Sequence, residues 1–136
     1  MYVKVIYTTT GLDYNLYAVA ISKLKEFVKR IVLLNSPLAF SGFIMYAEEI
    51  TIEKAKAIIS RAKELGLPIE SYIGHKSTAE LISQYLGISV EVKRAMYMPK
   101  SGDLALVFRL KKRLAKLEDI KDVKPEDLQI MYIYYY

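Results

Sequence analysis

The chain has 136 residues, of which 53% are hydrophobic, enough for one domain with a proper core. It contains no cysteine, which excludes disulfides, zinc–thiolate sites and thiol nucleophiles. Twenty lysines and arginines against 15 aspartates and glutamates give a net charge of +5, a moderate bias toward anionic partners that falls short of a polybasic tract. No apolar run reaches the ~18 residues a membrane helix needs, and Met1-Tyr2-Val3-Lys4-Val5 lacks a signal-peptide pattern. The expectation is a cytoplasmic protein without a membrane partner. Twelve tyrosines with abundant Lys, Ile and Glu accord with a hot environment.

Tyr2 to Thr8 is rich in β-branched and aromatic residues and reads as a strand. Asp13 or Asn15 can cap a helix whose Leu16, Ala20, Leu24, Phe27 and Val28 share one face. Ile31-Val32-Leu33-Leu34 is a continuous apolar run, as expected of a strand buried on both sides, and it ends at the turn Asn35-Ser36-Pro37. Thr51 caps a second helix, with Ala55, Ile58, Ile59, Ala62 and Leu65 inside and Gly66 at its close. Ile69 to Ile73 reads as a short strand between Pro68 and Gly74. Ser77 and Glu80 have capping-box spacing, which predicts a helix from Thr78 with Leu81, Ile82, Tyr85 and Leu86 inward and Gly87 as its stop. Val90 to Met98 and Leu104 to Leu110 read as strands, and Pro99-Lys100-Ser101-Gly102-Asp103 between them predicts a hairpin. Lys111 to Asp127 is charged and reads as mobile or partly helical, and Leu128 to Tyr136 as a final strand. There are no repeats and no inter-domain linker. The order implies a single α/β domain, residues 1–136, with a mixed sheet, flanking helices and an extra N-terminal strand and helix.

The only histidine of the chain, His75, falls on the turn from the Ile69 strand into the Thr78 helix. Backbone N–H groups at a helix start attract phosphate, and histidine is the side chain whose ordinary titration lies near neutral pH. A histidine in such a turn could equally pack or hydrogen-bond there. In an open α/β sheet, ligands sit at the carboxyl ends of strands. Asn35-Ser36 and Gly74-His75 both end strands, so they could share one crevice, with Asn35 and Ser36 on a base or sugar. Asn35 could instead make an Asx-type turn before Pro37. Gly74 permits close approach of a ligand, or a turn with positive φ. Arg109, Lys111, Lys112 and Arg113 cluster at a strand end, the lysines reading as a solvated face. Arg94 interrupts a β segment, so it points either to solvent or to an anion suited to its planar fork.

Other chemistries find few residues. Ser77 beside His75 lacks a third group for a triad. Glu48-Glu49 and Glu118-Asp119 lack companion histidines, so no transition-metal site and no cofactor is expected. There is no P-loop and no G-x-G-x-x-G.

Taken in order, Ile31-Val32-Leu33-Leu34-Asn35-Ser36-Pro37, Ile73-Gly74-His75-Lys76-Ser77-Thr78-Ala79-Glu80-Leu81-Ile82, Arg94, and Gly102-Asp103-Leu104-Ala105-Leu106-Val107-Phe108-Arg109-Leu110 with Arg113-Leu114 resemble the viral ring nucleases. These are the type III anti-CRISPR proteins of archaeal viruses and phages. The resemblance covers Ile31 to Leu114, a family-like core, and leaves residues 1–30 as an extension. It implies a small α/β homodimer that binds cyclic tetra-adenylate across its two subunits and cuts it without metal, silencing host type III CRISPR signalling. It implies no DNA partner. Position by position, His75 matches the catalytic histidine, Arg113 an arginine at the scissile phosphate, Arg94 a ligand-contacting arginine and Asn35 a contact near the ribose. With Ser36, Gly74, Ser77 and Arg109, these residues form the expected ligand-binding set. Some members carry a glutamate three residues beyond the second arginine, where this chain has Lys116 with Glu118 nearby.

The implied chemistry is internal to RNA. A 2′-hydroxyl attacks the adjacent phosphorus and expels the 5′-oxygen, leaving two linear di-adenylates with 2′,3′-cyclic phosphate ends. The alternative is a non-catalytic dimer that binds cyclic nucleotide or RNA. Fold and charge fit it equally well, and His75 separates the two, since a binder needs no titrating group.

Overall fold

Arg30–Leu34 (β1) carries the apolar run that the sequence marks as a central strand, and Ile31, Val32, Leu33 and Leu34 are all buried. The structure, a computed structural model, describes residues 24–111 and 123–136. The predicted Tyr2–Thr8 strand, the Asp13 or Asn15 cap and residues 112–122 lie outside the described residues. Strand β1 is parallel on one side to Ile69–Ser71 (β3) and on the other to Asp103–Leu110 (β4). Leu128–Tyr135 (β5) runs antiparallel to β4, and Met45–Ile50 (β2) runs antiparallel to β5. The result is a five-stranded mixed sheet in the order β2-β5-β4-β1-β3.

The helices occupy one face. Of the helix predicted to reach Val28, Leu24–Phe27 (α1) falls within the described residues and is helical. Ile52–Glu64 (α2) starts where the sequence places it, and the Thr51 hydroxyl accepts the Lys54 N–H at 3.3 Å. Lys76–Leu86 (α3) ends at Gly87, whose φ of 67° is the left-handed conformation that closes a helix with least strain in glycine. Ile58, Ile82, Ile31, Leu33, Leu106 and Phe108 belong to the core beneath these helices. The alternate residues Val32, Leu34, Ala105, Val107, Ile133 and Tyr135 point to the other face. No described helix covers that face; Leu38, Phe40, Phe43, Tyr72 and Tyr97 do. The Tyr135 ring meets Phe40, Phe43 and Tyr97 at centroid distances of 6.4, 5.8 and 6.1 Å, and its hydroxyl donates to the Leu38 carbonyl at 2.7 Å. Tyrosine suits this cover because its ring fills the apolar layer while its hydroxyl finds a carbonyl at the rim.

Two expectations are corrected, and one strand is added. Val90–Met98 forms no strand and no hairpin: its one bridge is Val92 with Ile73, because both edges of β4 are taken by β1 and β5. Strand β2 has no counterpart in the sequence reading. Its adjacent Glu48 and Glu49 weaken the β signal, yet Tyr46, Glu48 and Ile50 turn inward, and Tyr132 donates its hydroxyl to Glu48 at 2.9 Å. The helix after His75 begins at Lys76 rather than Thr78, and the cap residue is His75 itself. The reason is burial. Thr78, Ala79, Ile82 and Leu86 are all buried, and putting them on one inward face closes the first turn with the Ala79 N–H on the His75 carbonyl at 2.9 Å. Ser77 therefore lies inside the first turn, where it cannot act as the cap.

At the start of β1 and β4, Arg30 and Asp103 form a two-point ion pair, Nε to Oδ1 at 2.8 Å and Nη2 to Oδ2 at 2.7 Å. Tyr97 donates its hydroxyl to Asp103 at 2.6 Å, the Lys100 N–H adds a bond at 2.9 Å, and Arg30 reaches Glu70 at 2.7 Å. Burial by itself would raise the Asp103 pKa. The hydrogen bonds from Arg30, Tyr97 and Lys100 more than offset it and hold the carboxyl below its usual range. Burial and the hydrogen bond to Asp103 push the Tyr97 phenol up.

Candidate functional site

The parallel strands β1, β3 and β4 deliver their carboxyl ends to the same edge of the sheet. The Tyr72 N–H donates to the Leu33 carbonyl at 2.9 Å, which fixes the exit of β3 against the end of β1. From there β1 continues into half-buried Asn35 and exposed Ser36, and β3 into Ile73, Gly74 and His75. Arg109 lies two residues beyond Val107, which pairs with Leu34, so its exposed side chain belongs to this edge as well. The strand register thus puts Asn35-Ser36 and Gly74-His75 on the same edge of the sheet.

The histidine turn is built from three neighbouring bonds. Ile73 is fully buried, takes its N–H to the Ser71 hydroxyl at 3.2 Å and receives the Lys93 N–H on its carbonyl at 2.9 Å. Gly74 gives its carbonyl to Arg94 Nε at 2.9 Å. His75 is extended, with φ −115° and ψ 128°, and exposed, and makes no side-chain bond to the helix it precedes. The Lys76, Ser77 and Thr78 N–H groups therefore start α3 without a side-chain cap, the arrangement that gives a helix start its affinity for anions.

Arg94 is not in a strand, contrary to expectation. It lies on the extended segment after Val92, exposed, with its stem against Gly74. Gly74 also lacks the positive φ that the turn reading allows. A methyl group there would meet Arg94 Cγ at 3.4 Å, an ordinary van der Waals contact. Two residues absent from the sequence reading join the site: Lys93 holds its ammonium 4.2 Å from the centre of the Tyr72 ring, a cation–π contact. Their signal is visible in hindsight as the basic pair Lys93-Arg94 set opposite the Ser71–Gly74 exit. Lys76, Lys93, Arg94, Arg109 and Lys111 are exposed, and of these Lys76, Lys93 and Arg94 adjoin the histidine turn. Among the described residues no three His, Asp or Glu side chains converge as a metal donor set. Arg113, with Lys112, Lys116 and Glu118, lies outside the described residues.

Residues 31–134 match the family model described as STIV B116-like. This chain belongs to the STIV B116-like family. Its relatives include an uncharacterised protein 26 of Sulfolobus islandicus filamentous virus, 28% identical over 60% of this chain and 65% of that protein. This chain thus spans slightly less than two thirds of that relative. Uncharacterised protein YddF of Bacillus subtilis is 34% identical over 61% of this chain and 74% of its own length. Uncharacterised protein ORF117 of Acidianus two-tailed virus is 33% identical over 65% and 73%. Among solved structures, B116 of Sulfolobus turreted icosahedral virus superimposes with a TM-score of 0.63 over 77% of this chain and 98% of B116, at 20% identity. That likeness establishes the fold. The family's relatives here are proteins of archaeal viruses and one of a bacterium, and no described helix is long and apolar enough to cross a membrane.

Proposed function

We propose that this protein is a metal-independent ring nuclease that opens cyclic tetra-adenylate to linear di-adenylate with 2′,3′-cyclic phosphate ends, and so switches off type III CRISPR signalling. The observation that carries the reading is the placing of the only histidine: exposed, at an uncapped helix start, on the carboxyl edge of a parallel sheet, with an arginine fastened beside it. RNA supplies its own nucleophile. The 2′-oxygen forms a bond to phosphorus and gives up its proton to solvent water, the bond to the 5′-oxygen breaks, and the His75 imidazolium hands that oxygen its proton. General-acid help of this kind is worth about 10²–10⁴-fold. The uncapped N–H groups of α3, Arg109 and the family-matched Arg113 would stabilise charge on the pentavalent phosphorus. With no second histidine to act as base, alignment of the 2′-hydroxyl supplies much of the remaining rate.

One chain offers one such turn, whereas a cyclic tetranucleotide can have two-fold symmetry. A homodimer with the ring on its axis would give each half of the ring its own histidine. The test is to incubate the purified protein with cyclic oligoadenylates of several sizes in EDTA and weigh the products. Linear di-adenylates from the four-membered ring are expected. Tight binding with no cut ring would leave a cyclic-nucleotide binder instead.

A further inference from the structure

Arginine at position 94 carries three side-chain nitrogens, and among the described residues only the innermost is hydrogen-bonded to the protein. Its Nε donates to the Gly74 carbonyl at 2.9 Å. The stem lies along Gly74, close enough that a Cβ there would meet Cγ at 3.4 Å. The residue before it is tied to the same exit, since the Lys93 N–H bonds the Ile73 carbonyl at 2.9 Å and Val92 bridges Ile73. The backbone at position 94 is thus anchored independently, and the side chain reaches Gly74 from a fixed base.

A peptide unit is planar, so holding the Gly74 carbonyl also sets the direction of the His75 N–H and the plane from which the imidazole departs. The Ala79 N–H holds the His75 carbonyl at 2.9 Å on the helix side, but among the described residues the Gly74–His75 peptide itself has no other hydrogen bond. His75 makes no side-chain bond to its helix, and Gly74 has no side chain to pack. We propose that Arg94 is a positioning residue: its Nε clamps the Gly74–His75 peptide and thereby aims the imidazole, separately from any contact its outer nitrogens make with a ligand. The inference rests on the ring-nuclease reading for its consequence in catalysis, but the clamp itself can be observed without it.

Substitutions can separate the two uses, because they divide the side chain at different atoms. In Arg94→Gln the amide nitrogen falls at the same distance along the side chain as Nε, so the donor is kept while the positive charge is lost. In Arg94→Lys the charge is kept and the donor at that atom is lost. A phosphate ligand ranks lysine above glutamine, and a clamp ranks them the other way. In the full chain, single-turnover cleavage at saturating cyclic tetra-adenylate should be kept better in Arg94→Gln than in the other two variants. It should fall by about tenfold to 10²-fold in Arg94→Lys and Arg94→Ala, as small misplacements of a reacting group do. Ring affinity should follow charge instead, with lysine ahead of glutamine. If Arg94→Lys keeps the cleavage rate and Arg94→Gln loses it, the residue is an ordinary phosphate contact and the proposal is wrong.

The second readout needs no substrate. The chain has one histidine, so one imidazole signal reports the turn by NMR. The Gly74 and His75 amide signals and that imidazole should match wild type in Arg94→Gln and move in Arg94→Lys and Arg94→Ala. Equal shifts in all three variants, or none in any, overturn the clamp. A wild-type protein that cuts no ring defeats the ring-nuclease reading alone, and the NMR ranking still decides the clamp.

Discussion

Arg30 and Asp103 are register partners, the first residues of two neighbouring parallel strands, and their side chains repeat that pairing as a two-point ion pair at 2.7–2.8 Å. Asp103 is 2% exposed and the Arg30 side chain 12%, so water screens the pair little. The contact from Arg30 to Glu70 has the same length of 2.7 Å, but Glu70 is 40% exposed. Burial rather than distance separates what the two are worth.

The first prediction follows from that contrast. Breaking a buried pair from one side costs about 3–5 kcal/mol, because the other charge stays buried without its partner. Arg30 retains Glu70, so Asp103→Asn should cost about 3 kcal/mol, the low end of that range. Glu70→Gln should cost less than about 1 kcal/mol, as exposed pairs do. Urea unfolding of the two variants beside wild type measures both. Equal losses would mean that the register pair is not the stronger contact.

The same network sets a pH dependence with two arms. The folded-state pKa of Asp103 is depressed. Its contribution is therefore present above the ordinary carboxylate pKa of about 3.9 and is lost as pH falls through the lower folded value. Tyr97 is pushed up by burial and by its bond to Asp103, and Tyr135 is pushed up by burial to about 12. Their contribution is complete below the ordinary phenol value of about 10 and shrinks as pH rises past it, since the unfolded phenols ionise first. Between pH 5 and 2, Asp103→Asn should lose less stability than wild type, and above pH 10 Tyr97→Phe should do the same. Parallel curves in either window would contradict the assignment.

His75→Ala should remove most ring cleavage, by about 10²–10⁴-fold, while leaving affinity for the ring largely intact. The exposed imidazole supports no part of the core, so circular dichroism of the variant should overlay wild type. Cleavage at near the parental rate would place the proton donor elsewhere.

The basic side chains should prove uneven. Charge-assisted hydrogen bonds are worth roughly 1.5–3 kcal/mol, about tenfold or more in binding or rate. Arg109→Ala is expected to weaken ring binding, and Arg113→Ala to slow cleavage, each by more than Lys111→Ala. Small equal effects across the three would indicate a diffuse basic surface. Titration of the wild type, followed by light scattering, should give one ring per two chains. One ring per single chain would rule out a shared site.

Much of this protein is written in local sequence. The apolar run Ile31–Leu34 could only be an interior strand, Thr51 and Gly87 mark helix ends by side-chain and backbone chemistry, and His75 stands out because the chain has no other histidine. These signals act over a few residues, so they survive without knowledge of the fold. What the tertiary structure decided is pairing. Val90–Met98 has strand composition, yet β4 had already spent both edges on β1 and β5, leaving only the bridge from Val92 to Ile73. The start of α3 moved from Thr78 to Lys76 because burying Thr78 and Ala79 outweighed one capping bond from Ser77. Arg30 and Asp103 are 73 residues apart, and Arg94 and Gly74 are 20 apart. No periodicity links such positions, since a hydrogen bond across a sheet or a turn depends on which strands lie side by side, and that is fixed only when the whole core packs.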